Sequence, residues 1–253
     1  MSTPPLIPQR ALFVVAHPDD IEFMAGGLAV RWAAEGAELH YCLLTDGASG
    51  SRDPEITPAA LIEMRRAEQR TAGDLLGVRS YTFLGHPDGR LVASVELRLE
   101  IARVIRTVQP DAVVTTDPRF FYSPTYINHP DHRAAGEATL AAIMPIANTR
   151  LAALELLTEG LEPHDVGDVL LATPAEPNYW LPLREEDLAH KVAIMRAHAS
   201  QIVQFPGFEE FILRMAREMG VRASDAGVAC DAAEAYTHIT LRRPPAYSEV
   251  QKH

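Results

Sequence analysis

The chain has 253 residues, 47% of them hydrophobic and 23% charged, enough for one globular domain with a substantial core. A formal net charge of −11 argues against a nucleic-acid or anionic-membrane partner. Only Cys42 and Cys230 are present and they form no CxxC pair, so no disulfide framework is expected and a reducing cytoplasm fits.

In chain order, Met1–Arg10 reads as a flexible tail without the apolar core of a signal peptide. Ala11–Ala16 is an apolar, strand-like run, and Ile21–Glu35 has helical spacing up to the stop at Gly36. Glu38–Thr45 predicts a second strand and Pro58–Leu76 a long helix closed by Gly77. Ser80–Leu84, Val95–Val108 and Ala112–Thr116 continue as strand, helix and strand. Further on, Arg133–Met144 predicts a helix, Val169–Ala172 and Tyr179–Leu181 short strands, and Leu188–Gln201 and Phe208–Met219 helices. Glu234–Leu241 fits either a helix end or a closing strand, and 244–253 reads as a tail. The rhythm predicts a single Rossmann-like α/β domain over 11–243, its sheet mostly parallel with helices on both faces. No apolar run reaches membrane-span length.

Chemistry concentrates in two runs, Ala16-His17-Pro18-Asp19-Asp20 and His129-Pro130-Asp131-His132. Two consecutive carboxylates beside a histidine repel each other unless a cation or donors neutralise them. Helix capping accounts for one aspartate of the first run, not for the pair with the histidine. The first run follows one predicted parallel strand; the second lies beyond Thr116, the end of another. Right-handed crossovers bring both to the carboxyl edge of the sheet, where open α/β sheets bind ligands. Imidazole with carboxylate suits zinc better than magnesium, and a catalytic zinc keeps one position open beyond three protein ligands.

The two runs resemble the signature of the PIG-L/LmbE-like zinc deacetylases. Weaker matches include Leu44-Thr45-Asp46-Gly47, Arg65-Arg66-Ala67-Glu68, Leu84-Gly85 with Asp88, and His198-Ala199-Ser200-Gln201. The resemblance implies a zinc-dependent hydrolase that removes an N-acetyl group from an N-acetylglucosamine-type conjugate by attack of metal-activated water on the amide carbonyl. It implies one Zn2+ per chain held by His17, Asp20 and His132, with other divalent transition metals compatible. It further implies Asp19 as general base, His129 as acid or electrophile with Asp131 holding its imidazole, and Arg65 and Asp88 on sugar hydroxyls. Where some members carry a tyrosine two residues before the first histidine of the second run, this chain has Ile127, with Tyr122 and Tyr126 nearby. His198 shares a helical face with Lys191, Ile194 and Met195, which favours a packing role over a chemical one.

The implied partner is a small amino-sugar conjugate, and a homo-oligomer is compatible. Alternatives are an amidase acting on a larger amide, such as a thiol-cofactor conjugate, and a metal-binding module without turnover. A nucleotide-binding module is disfavoured because the first strand–helix turn offers HPDD instead of GxGxxG.

Overall fold

The first strand, β1 (Arg10–Val15), is buried on both sides, and its pleat divides the core. Ala11, Phe13 and Val15 enter one apolar cluster, Leu12, Val14 and Ala16 the other. This is why the run is continuously apolar: a parallel strand between two helical layers has no solvent face. The computed structural model describes residues 6–241, and the following statements concern those. The elements after β1 are α1 (Asp20–Ala34), β2 (Glu38–Thr45), α2 (Pro58–Asp74), β3 (Ser80–His86), α3 (Val95–Val108) and β4 (Ala112–Thr116). Next come a small hairpin, β5 (Tyr122–Ser123) and β6 (Tyr126–Ile127), then α4 (Pro130–Ala141), α5 (Leu154–Thr158), β7 (Asp168–Ala172) and β8 (Tyr179–Pro182). The chain closes with α6 (Glu185–Met195), α7 (Ala199–Ile202), α8 (Phe208–Asp225) and β9 (Ala233–Thr240).

Seven strands form one sheet in the order β3-β2-β1-β4-β7-β9-β8. The first five are parallel, while β9 runs antiparallel to both β7 and β8. The expected mostly parallel sheet covered on both faces is therefore the fold. Helices α1, α6 and α8 pack on one face, and α3 and α4 on the other. The order reverses between β1 and β4, so the crevice beyond their carboxyl ends is the switch point where such sheets bind ligands.

Three stretches differ from the sequence expectation. Helix α4 begins at Pro130 instead of Arg133, which makes the HPDH run itself the helix entrance, with His129 as N-cap and proline in the first turn. It ends at Ala141 in a wider turn over 142–147, where Met144, preceding a proline, is extended. The helix expected over Leu188–Gln201 breaks at His198 into α6 and α7. The undecided segment near Glu234 is the antiparallel strand β9.

Of the expected tails, residues 1–5 and 242–253 lie outside the described residues. Leu6–Arg10 lies against the fold: Trp32 donates to the Leu6 carbonyl at 2.7 Å, and the Gln9 and Arg10 amides donate to Asp111. Cys42 and Cys230 are free thiols, and burial pushes Cys42 up to about 12. Among the described residues no helix is long and apolar enough to cross a membrane.

Candidate metal and catalytic site

Two local devices bring the histidine runs together. After β1 the chain turns sharply at Asp19, a non-glycine residue at φ 89°, before entering α1. Backbone in that region costs energy and persists only where its surroundings over-determine it. Here the Asp19 N–H donates to Gln69 Oε1 at 3.0 Å, and Asp20 Oδ2 accepts from the His17 N–H at 2.8 Å. The second device is Gly136, whose missing side chain lets α4 lie directly on the end of β4: a Cβ there would stand 2.1 Å from the Thr116 carbonyl oxygen. The Thr116 hydroxyl donates to the His132 carbonyl on the same seam. The entrance of α4 is thereby fixed at the mouth of β1.

His17, Asp20 and His132 converge, each offering a ligand atom within 4.8 Å of the others. His132 Nε2 lies 3.1 Å from Asp20 Oδ1, and His17 Nδ1 lies 3.4 Å from Asp20 Oδ2. His132 Nδ1 sits 3.0 Å from Asn128 Oδ1, an amide oxygen that can only accept, so the proton is on Nδ1 and Nε2 is left for a ligand. A second set within the same distance, His17, His129 and Asp131, shares His17 with the first.

The electrostatics are those of a cation site. Burial disfavours a charged His17, yet Asp20, reinforced by Asp131 and Asp88, pushes it up to about 12. Burial likewise opposes ionised Asp20, but His132 and His17 hold it well below the usual carboxylate range. His132 is raised against its own burial, chiefly by Asp20. A proton trapped among carboxylates is the minimum positive charge such a cluster tolerates, and a divalent cation would displace it. His17 Nε2, buried without an aligned hydrogen-bond partner although Asp88 and Asp131 approach at 3.1 and 3.5 Å, fits the same donor set. These residues can hold a metal ion.

Asp19 stands at the rim, its side chain 23% exposed. Burial pushes its carboxyl up, with Arg65 pulling the other way and Asp20 adding to the rise. That direction moves a carboxylate towards the basicity a proton acceptor needs. His129 is lowered, first by burial and then by the charge of His17, which favours its neutral form. Its ring meets the His17 ring edge-on at 4.6 Å.

Three expected site residues have partners inside the protein. Arg65 is only 4% exposed, and its guanidinium donates to the Gly47 carbonyl at 2.9 Å, the Pro18 carbonyl at 2.6 Å and Asp19 at 3.2 Å. It braces the Asp19 turn against the loop after β2, while its Nε is buried without a hydrogen-bond partner. Asp88 accepts from the Ser49 N–H at 3.0 Å and faces His17, so it too is used inside the protein. The Asp131 carboxylate accepts from the Gly89 and Leu91 amides at 2.7 and 3.1 Å and approaches His17 instead of bonding the His129 ring. His129 Nδ1 instead accepts from the Asp131 backbone N–H at 3.3 Å.

Sequence reasoning missed the layer behind these side chains. Glu22, in the first turn of α1, is fully buried: Oε1 accepts from Gln69 at 2.8 Å and Oε2 lies 3.1 Å from His198 Nε2. His198 thus backs the Asp19 turn through Glu22 and Gln69, while Lys191 pairs with Glu234 at 2.6 Å. Ile127 is exposed, whereas burial pushes the Tyr126 phenol up, the charge of Asp20 adding to the rise and the His129 backbone N–H opposing it. The only sequence signal for Asn128 is its place directly before His129.

A doubly wound sheet with histidines and carboxylates gathered at its switch point defines an enzyme of the metal-assisted hydrolase type. The chain belongs to the PIG-L family: the description GlcNAc-PI de-N-acetylase matches residues 12–143. It is similar to the diacetylchitobiose deacetylase of Thermococcus kodakarensis, 31% identical over 193 residues, covering 76% of this chain and 70% of that protein. Its fold is similar to N,N'-diacetylchitobiose deacetylase from Pyrococcus horikoshii complexed with its inhibitor, at TM-score 0.82 and 26% identity, covering 92% of this chain and 84% of that one. At 24% identity and TM-score 0.75, the 4-carboxy-2-hydroxymuconate hydratase GalB from Pseudomonas putida shares the fold alone, over 93% of this chain and 98% of that one. The chemistry must therefore be argued from the site.

Proposed function

We propose that the chain is a zinc-dependent N-deacetylase of N-acetylglucosamine-type conjugates. The observation that carries this reading is the convergence of His17, Asp20 and His132 beside a carboxylate, Asp19, that takes no place among them. Two imidazoles and one carboxylate suit zinc, and a bound zinc supplies Lewis-acid polarisation of an amide carbonyl and a lowered water pKa. Asp19 accepts the proton of the attacking water, held in place by Gln69 on its backbone and Arg65 on its carboxylate. His129, adjacent to the His17 ring and neutral with Nδ1 accepting from the Asp131 N–H, donates its Nε2–H to the developing oxyanion, and the proton Asp19 took from water passes to the departing amine. The C–N bond breaks, leaving acetate and a free amino sugar. Asp131 acts by positioning, tying the loop after β3 to His17. The amino-sugar substrate is supported by the names of the relatives and of the family.

Acetate release from N,N'-diacetylchitobiose and from simple N-acetylglucosamine glycosides, by protein loaded with zinc, tests the reading. Asp19→Asn is expected to lose at least ~10³-fold in kcat, the scale of a positioned acid–base group, while metal content is retained. Loss of metal in that variant would contradict the role given to Asp19.

A further inference from the structure

Beside the metal-ligand cluster lies a cavity of about 260 Å3 whose polar end is Asp19 and Asp20. Five of its other six lining side chains are apolar: Phe23 from α1, Met195 from α6, Ile202 from α7, and Phe205 and Phe208 at the entrance of α8. Gln201 also lines it, but its amide N–H already donates to the Ser200 hydroxyl. We propose that this cavity binds an apolar substituent of the amide substrate, so that the enzyme favours amino-sugar derivatives carrying an alkyl or aryl group. This rests on the deacetylase reading and specifies its substrate class.

Three features support it. First, the cavity is continuous with the site, because Asp19 and Asp20 belong to both. A group entering it stays attached to an amide at the metal ligands. Second, the wall is held in place. The Ser200 N–H and hydroxyl both donate to Glu68 at 2.7 Å, pinning α7 to α2. Gln204 bonds the Gly50 carbonyl at 3.0 Å, and Phe211 packs against both Phe205 and Phe23. A pre-formed apolar cleft with a few polar groups at one end is the usual form of a small-molecule site. Third, a second sugar lying on these five apolar side chains would lose water from its hydroxyls, with Gln201 the one lining group beyond Asp19 and Asp20 able to replace hydrogen bonds.

The substituent can enter from either side of the amide, as the aglycone of a glycoside or as a longer acyl chain. Two kinetic series distinguish them: methyl to octyl glycosides of N-acetylglucosamine, and N-acetyl to N-octanoyl glucosamine. The proposal expects kcat/KM to rise at least about tenfold along one series, the value of about two buried methylenes. In Ile202→Gln and Phe205→Gln, both partly exposed and so tolerant of change, that ratio is expected to fall to within about twofold of unity. Calorimetry with octyl and methyl glucoside, which contain no amide, gives a readout independent of turnover. The octyl compound is expected to bind at least about tenfold more tightly, and less so in both variants. Flat kinetic series with equal binding would overturn the cavity assignment and leave deacetylation intact, as would octyl binding that neither variant weakens. Tight, variant-sensitive octyl binding with no acyl release from any amino sugar would support the cavity and sink the deacetylase reading.

Discussion

Replacing Arg65 with methionine separates two roles that a substrate-binding arginine and an internal strut would otherwise share. The guanidinium serves two backbone carbonyls, Pro18 and Gly47, and the Asp19 carboxylate, and it is almost wholly buried. A buried acceptor losing a charged donor costs about 1.5–3 kcal/mol, and neighbouring losses do not add fully, so roughly 4 kcal/mol is expected for the three. In a chain of this size that lowers Tm by roughly 10 °C. The Asp19 turn keeps Gln69 on its backbone and the His17 N–H on Asp20 but loses its tie to the loop after β2, so it loosens, and kcat falls with little change in KM. Arg65→Lys, with a single charged head, should fall between wild type and methionine in both Tm and kcat. Thermal unfolding and steady-state kinetics on the same preparations read this out. An unchanged Tm with a raised KM and an unchanged kcat would refute the strut and restore Arg65 as a sugar contact.

Other consequences are equally direct. Gly136→Ala places a methyl against the Thr116 carbonyl, so it should cost about 1–3 kcal/mol of stability and weaken metal binding, measured by denaturant unfolding and competition with a chelator. Asp187 is buried, which favours its neutral form, but Arg184 and then Arg31 hold its carboxyl far below the usual range. A depressed carboxylate contributes stability above its unfolded pKa, about 4, and loses it as pH falls towards the folded value. Asp187→Asn should therefore cost about 2–3 kcal/mol at pH 7, with the gap to wild type narrowing below about pH 4; a gap independent of pH would contradict the pairing.

The parts of the fold legible in the sequence were those with a complete local cause. Strands β1, β2 and β4 are mostly apolar and buried on both faces, and α2 and α3 start at Thr57 and Ser94, whose hydroxyls accept from the Ala60 and Leu97 amides. Strand β9 was ambiguous because it is antiparallel near the sheet edge and half-buried, so its pattern is mixed. The break at His198 has a distant cause, its pairing with Glu22 across 176 residues. The same division holds in the site. Residue type and spacing brought out His17, Asp20, His129 and His132, because imidazole beside carboxylate is informative by itself. The roles of Arg65, Asp88 and Asp131 depend on backbone carbonyls and amides of loops far along the chain, which no side-chain pattern records.

The proposed chemistry requires one ion shared by turns 112 positions apart in sequence, the separation of Asp20 from His132. X-ray absorption at the zinc edge, with metal stoichiometry, measures it on wild type and on the His17→Ala/His132→Ala double variant. The expected result is about one zinc per chain with mixed imidazole and oxygen ligation in the wild type, and none in the double variant. Zinc retained with unchanged ligation in the double variant, or a wild-type protein that binds no divalent metal, would contradict the assignment.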